Sequence, residues 1–517
     1  MFSIIKNVQN RTLAGLALAA AAGLPGVAGA QVWETINRPN IVPVTDSQAW
    51  ANTLTTNGFG TIAGTIRNGR RAMVLTRYNG GGLVIWERLL FRTAEENGFV
   101  VDFTNDGGFL IAGETTSPGG NFAKTTLIKT NGAGAFQWAR IFDGGRFDDR
   151  PVSVGMRELR IGGSILVHRT ITTVGTQLAS AALTTPAGVV SWSRGYWDPR
   201  FQAASKMAFA DVREIPSAAG GIAGFIAVGY TTNPQTQNKQ IIAMRLDAAG
   251  NPIIFKAYNI SSATESSYAT GLVQTTNGWR IVGRITDPQL GPNIVDDTFV
   301  LDVDAALNVG PDAGIYDNFK VNRGSIEAGV ANPNLMVGSL QITGQTAQAM
   351  TVGNTAAAWV PAWMRTYGRQ RNEDFRGVQA VGNSIVASGF SDSFGNGEKW
   401  IYNVRTDALG RNGCENTPQI PIIRITPRNV DLQTPFFTVP EQQWGLESIQ
   451  TPFLQKKPCN PIPADFNHDG FLDGFDYDEF VKCFEGTFCE EGNTADFNFD
   501  EFLDGFDYDE FVRAFEN

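Results

Sequence analysis

NDGGFLIAGETTSPGGNFAKTTLIKTNGAGAFQWAR, Asn105 to Arg140, holds an apolar run closed by glycine, a polar loop with Pro118 and Gly119, an alternating run from Thr126 to Thr130, a glycine turn, and a run through Trp138. Short β-branched and apolar runs bounded by Gly, Asn and Pro predict strands, and their close succession predicts antiparallel hairpins. One such unit cannot bury both of its faces.

The same order of events returns along the chain. GTIAGT (Gly60 to Thr65) with AMVLTRYNGGGLVIWERLL precedes it, and GSILVHRT (Gly163 to Thr170), GFIAVGYT (Gly224 to Thr231), GWRIVGRI (Gly278 to Ile285), LMVGSLQI (Leu335 to Ile342) and SIVASGF (Ser384 to Phe390) follow, each with its own second half. Taking Gly64, Gly113, His168, Gly229, Gly283, Gly338 and Gly389 as equivalent, the steps are 49, 55, 61, 54, 55 and 51 residues. A period of about 40–50 residues with about four strands is the signature of a propeller blade. The expected fold is therefore mainly β, a seven-bladed β-propeller over residues 31–414, with six or eight blades as the alternatives that degenerate copies leave open. Residues 31 to 46 are expected to supply a strand that closes the ring.

The pattern resembles secreted bacterial propeller repeats of the form DGGYIVAG, loop, LIKTDxxGNxxW, most closely at Asp106 to Gly113 and Leu127 to Trp138. The resemblance covers roughly residues 47–414 and implies fold rather than activity, because propellers host unrelated functions.

Charge is unevenly distributed. Of 51 acidic residues 17 lie from Ala464 onward against Lys482 and Arg513, leaving 34 acidic and 39 basic residues before that point. The acidity belongs to the tail, which argues against nucleic acid as a partner. Residues 1–30 place Lys6 and Arg11 before the apolar LAGLALAAAAGL and end in Ala28-Gly29-Ala30, the pattern of a secretory signal peptide cleaved before Gln31. The run is shorter than the roughly 20 residues needed to span a bilayer, and the mature chain is expected to be secreted, with no transmembrane segment. Cys414, Cys459, Cys483 and Cys489 all lie in the last fifth of the chain. In an exported protein they predict two disulfides; of three pairings, Cys414 with Cys459 and Cys483 with Cys489 is preferred because each brackets a local segment, and a thiolate metal site is the alternative.

Acidic residues recur just before the first strand of a unit: Glu95 and Glu96, Asp148 and Asp149, Glu265, Glu373 and Asp374. They read first as acceptors for turn amides or partners of Arg92, Arg146, Arg150 and Arg371, and second as paired acids for glycoside hydrolysis. Trp86, Trp138, Trp192, Trp359 and Trp363 read as packing between blades, with sugar stacking as the alternative. Histidine is confined to His168, a packed variant of the repeat glycine, and His468. Serine–histidine and cysteine–histidine chemistry has almost no material, and no residue is assigned a catalytic role.

Residues 415–463 carry nine prolines, which disfavour helices and central strands and predict an extended connector. Beyond it, ADFNHDGFLDGFDYDEFVKCFE (Ala464 to Glu485) recurs 31 residues later as ADFNFDEFLDGFDYDEFVRAFE (Ala495 to Glu516). Asp465, Asn467, Asp469, Phe471, Asp473 and Asp476 stand at positions 1, 3, 5, 7, 9 and 12 of a calcium loop, and Asp496, Asn498, Asp500, Phe502, Asp504 and Asp507 repeat them. Ca²⁺ takes six to eight oxygens, and this spacing delivers side-chain oxygens with the carbonyl of Phe471 or Phe502. Phe480, Val481 and Phe484, with Phe511, Val512 and Phe515, form an apolar face on the helix after each loop.

These EF-hand-like pairs resemble a type I dockerin over residues 464–517. The resemblance implies Ca²⁺ binding and a cohesin-like or cell-surface partner. Two departures follow from the residues: Glu501 replaces glycine at position 6 of the second loop, which predicts a weaker site, and Phe475 and Phe506 replace the small polar residues usual at position 11, which argues against cohesin recognition. The leading expectation is a secreted, non-enzymatic propeller whose calcium-dependent tail serves extracellular assembly or surface attachment. The alternatives are a polysaccharide-directed glycoside hydrolase with a carboxylate pair on the propeller, and a propeller that binds glycan or protein unchanged.

Overall fold

Strand periodicity at this density is satisfied only by stacking sheets, and the computed structural model shows how. It describes residues 32–456 apart from loop segments such as 143–153 and 287–295, and in the tail residues 464, 466, 474–487, 495, 497 and 503–515. A first strand, β1 (Trp33–Pro39), precedes six four-strand meanders. These are β2 to β5 (Val44–Thr55, Gly58–Arg67, Arg70–Asn79, Val84–Phe91), β6 to β9 (Glu96–Phe103, Phe109–Thr115, Lys124–Thr130, Phe136–Phe142) and β10 to β13 (Val154–Glu158, Ser164–Ile171, Gln177–Thr184, Val190–Tyr196). Then follow β14 to β17 (Lys206–Pro216, Ile222–Thr232, Lys239–Asp247, Pro252–Asn259), β18 to β21 (Ser266–Thr275, Gly278–Thr286, Asp297–Asp304, Val309–Tyr316) and β22 to β25 (Phe319–Ala328, Asn334–Leu340, Gln348–Asn354, Pro361–Tyr367). Three more strands, β26 to β28 (Glu373–Val381, Ser384–Ser391, Trp400–Asp407), take β1 as their fourth.

Five sheets stand as separate propeller-like blades, while a ten-stranded sheet holds the meanders β10–β13 and β14–β17, which share only the parallel pair Gln177 with Lys206. First strands pack on one another in chain order, and β26 returns onto β2. The arrangement is thus propeller-like and closed. Closure uses a strand from the other end of the chain, with Trp33 opposite Arg405 and Asn37 opposite Ile401, as residues 31 to 46 led us to expect.

Five junctions between neighbouring blades are keyed by one repeated contact. The turn after the third strand is organised by an Asn or Asp: Asn131 Oδ1 accepts the amides of Ala133 and Ala135, and Asp247 and Asp407 act in the same way. Its glycine has positive φ and lies under a tryptophan of the preceding blade. A Cβ at Gly134 would come within 2.7 Å of Trp86, and Gly82, Gly188, Gly250 and Gly410 face Trp33, Trp138, Trp192 and Trp363 likewise. Only a residue without a side chain fits there at a left-handed φ. The packing reading of Trp86, Trp138, Trp192 and Trp363 is therefore what the structure shows; Trp359 lies outside the described residues. At one junction the pair is exchanged as a unit. Leu307, at φ 63, replaces the glycine and shares a core cluster with Ile254, which stands where the other blades have tryptophan.

The proline-rich stretch is extended, as its composition predicts, but it does not hang free. After Asn416 bridges Thr366, the strands β29 (Ile422–Ile425), β30 (Arg428–Leu432), β31 (Phe436–Thr438), β32 (Glu441–Gln443), β33 (Glu447–Gln450) and β34 (Phe453–Lys456) add antiparallel to β21, β17, β13, β9, β5 and β1. The segment runs round the ring in reverse blade order and gives each of these edges one more strand. Twist explains how so short a segment reaches so far. Each strand is rotated about 20–25° from its neighbour, so a fifth strand lies roughly across the first and points along the rim.

Two predictions follow from this packing. Gly134→Ala forces Trp86 aside and strains a left-handed backbone, at about 1–3 kcal/mol for the overpacking, while Trp86→Ala leaves a cavity at about 3–5 kcal/mol; denaturant unfolding measures both. A chain ending at residue 413 loses the strand on six sheet edges, and sedimentation is expected to show self-association that a chain ending at residue 457 does not.

Candidate functional site

The strongest sequence signal for chemistry lies in the tail, where two helices are described, α1 (Gly474–Phe484) and α2 (Gly505–Phe515). The 31-residue repeat makes their contacts nearly symmetric. Phe480 and Phe511 stack at 3.9 Å with planes 3° apart, and the Tyr477 and Tyr508 hydroxyls are 2.6 Å apart. Val481, Phe484, Val512 and Phe515 pack on the same cluster with Phe466, Ala464 and Ala495, so the apolar faces read from the sequence do meet.

Of the twelve expected ligands, Asp476, Asp504 and Asp507 are described. Asp465, Asn467, Asp469, Phe471, Asp473, Asp496, Asn498, Asp500 and Phe502 lie outside the described residues. Asp476 and Asp507 occupy matching places in the first turns of α1 and α2, and both are fully buried. Asp476 Oδ1 accepts the Phe466 amide at 2.7 Å, and Asp507 Oδ2 accepts the Asp504 amide at 2.9 Å. Asp504 caps α2 by accepting the Phe506 amide at 2.8 Å. Buried carboxylates require pairing, hydrogen bonds or a cation, and the oxygen-only donor set read from the sequence fits Ca²⁺ or another hard cation. Among the described residues no three His, Cys, Asp or Glu side chains converge as a metal cluster. The two described cysteines, Cys414 and Cys483, are not free thiols.

On the ring, the acids before the first strands act as acceptors. Glu96 accepts the Thr115 hydroxyl at 2.7 Å and faces Arg92 at 3.7 Å. Glu95 accepts the Arg71 amide, and Glu265 takes the amides of Ile260, Ser261 and Ser262. Glu373 accepts the hydroxyls of Ser391 and Ser393, and Asp374 pairs with Arg376 at 2.9 Å. Asp148 and Asp149 lie outside the described residues, as do Arg146, Arg150 and His468. His168 is fully buried against Phe142, and burial pushes its pKa down to about 4, so it is neutral and packed.

Two acids that the sequence did not single out are the more unusual. Glu158, near the end of β10, accepts the Asn105 amide with both oxygens at 2.8 and 3.0 Å. Burial, with Asp102 and Asp106 close by, pushes its pKa up to about 7. Burial and Asp317 likewise push Asp297 up to about 7. Both depend on neighbours from adjoining strands or blades, which no local motif announces.

No family model matches the chain, and no curated protein does. Among solved structures, a protein of unknown function from Bacteroides caccae aligns at 10% identity over 54% of this chain and 92% of its own, with a TM-score of 0.26. Sqt1 from Chaetomium thermophilum aligns at 10% identity over 76% and 99%, with a TM-score of 0.30.

The raised pKa of Glu158 sets a pH dependence. A carboxyl whose folded pKa lies near 7, against an ordinary 4.5, favours the folded state while protonated and loses that contribution as pH rises from about 4.5 through 7. Glu158→Gln, which stays neutral, should match the parent in thermal midpoint near pH 4.5 and exceed it progressively up to pH 8.

Proposed function

We propose that the chain is an exported, seven-bladed propeller that serves as a non-catalytic binding scaffold, and that its tail is a paired calcium module for extracellular assembly or surface attachment. Counting the two meanders of the ten-stranded sheet as separate blades gives the number seven. One observation carries the functional reading. Asp476 and Asp507, 31 residues apart and both at position 12 of their loops, are fully buried at matching places in two stacked helices. Random acidity does not place paired carboxylates inside a core.

Binding would assemble Asp465, Asn467, Asp469, the Phe471 carbonyl, Asp473 and Asp476 about one ion, and Asp496, Asn498, Asp500, the Phe502 carbonyl, Asp504 and Asp507 about another. The ions supply charge neutralisation for an acidic segment and tie each loop to its helix. Glu501, in place of glycine at the sharp turn, makes the second site the weaker. The dockerin resemblance supports a protein partner at a surface, while Phe475 and Phe506 speak against a cohesin of the usual kind. The leader at residues 1–30 and cysteines that are not free support export, with Cys414–Cys459 and Cys483–Cys489 as the pairing we favour. That Glu96, Glu265 and Glu373 serve turns and hydroxyls supports the non-catalytic reading of the ring over glycoside hydrolysis.

Calorimetric titration of the mature chain with Ca²⁺, with circular dichroism before and after, tests this. Two sites of unequal affinity and a gain of helix are expected, Asp476→Ala should abolish the tighter site and Asp507→Ala the weaker. Absence of binding up to millimolar Ca²⁺ would overturn the proposal.

A further inference from the structure

The first strands pack on one another around an axis. Five carry a single-residue bulge near mid-strand, between Ala49 and Ala51, Gly98 and Val100, Phe209 and Asp211, Ala269 and Gly271, and Phe375 and Gly377. In β22 the register jumps from Val321 opposite Gly338 to Ile326 opposite Met336, so residues 322–325 stand opposite Val337 alone. This strand packs on its neighbours β18 and β26 and also on β2 and β14, which belong to blades further round the ring.

A cavity of ≈ 20 Å³ is formed by the first strands β2, β6, β10, β14 and β26. About 10–15 Å³ is the least that holds a water, which also needs two to four polar partners. Asn52, 3% exposed, lines the cavity. Its Nδ2 donates to the Val386 carbonyl at 3.1 Å and to Ser388 Oγ at 3.0 Å, which fixes the amide because the flipped form would set two acceptors against each other. Its Oδ1 is then a buried acceptor with no donor among the described residues. That oxygen lies against Gly377, also on the cavity wall, where a Cβ would come within 2.8 Å of it. Glycine keeps this space open.

The remaining polar lining decides what fits. Arg157 and Asp211, whose side chains approach to 3.7 Å, line the same cavity together with Gln379, and the Asp211 carboxylate also accepts the Val212 and Leu272 amides. A cation meets the guanidinium, and an anion meets the carboxylate and Asn52 Oδ1. A neutral molecule that both donates and accepts satisfies all of them. We propose that this cavity is an internal hydration site that takes one water molecule, donating to Asn52 Oδ1.

Crystals of the mature chain, one set native and others soaked in bromide or rubidium, provide the test. The expected result is one solvent peak within hydrogen-bond distance of Asn52 Oδ1 and of Arg157 or Asp211, without anomalous signal in either soak. A bromide or rubidium peak, or an unfilled cavity, would overturn the proposal. Asn52→Leu should lose the peak with the surrounding strands unchanged. If that variant does not fold, Gly377→Ala, whose methyl intrudes on the same space, should displace the peak, and a peak that persists unmoved would count against the assignment.

Discussion

A ring of sheets holds together only if each sheet recognises the next, and here that recognition is an indole lying over a backbone turn. The fourth-strand tryptophan of one blade needs a flat surface to cover, and the glycine of the next blade's turn supplies it because no side chain projects. Hydrogen bonds secure the same contact: Trp192 Nε1 donates to the Ala248 carbonyl, Arg194 Nε to the Ala249 carbonyl, and the Tyr196 hydroxyl to the Gly250 carbonyl. Because Trp33 does the same over Gly82, with Nε1 donating to the Gly80 carbonyl, the junction closed by the start of the chain is chemically like the others.

The contact also explains what was legible. Strands, turns, the repeat and the closing strand were readable because blade geometry imposes residue types at fixed offsets: glycine at the turn, Asn or Asp before it, tryptophan beyond. The exchange of Trp and Gly for Ile254 and Leu307 shows that the pair, rather than either residue, is what the fold requires. The outer strands were not readable as strands. Three to five residues between prolines carry no periodicity, and their pairing is dictated by edges that exist only after the ring has formed. A connector and an edge strand share one composition.

The acids divide in the same way. Those before the first strands were conspicuous because they recur, and they recur because turns need acceptors. Glu158 was silent. Its partner Asn105 and its neighbours Asp102 and Asp106 are one repeat away in sequence, so its environment belongs to the junction between blades. In the tail, the 31-residue spacing gave the helices, their stacking faces and the buried pair Asp476 and Asp507 directly, since there the repeat is local.

The proline-rich strands also define how the chain would bear load. The last of them, β34, lies on β1, which is itself hydrogen-bonded to β28, so both ends of the ring segment leave from the same sheet. Tension from the C-terminal side therefore meets β34 first and then β33, β32, β31, β30 and β29, each a ladder of a few bonds on a different blade. Links of two or three residues separate them, and four of the five contain proline, at 427, 435, 440 and 452. Such a segment yields in small successive steps, dissipating work at the rim before any strain reaches the blades' own strands.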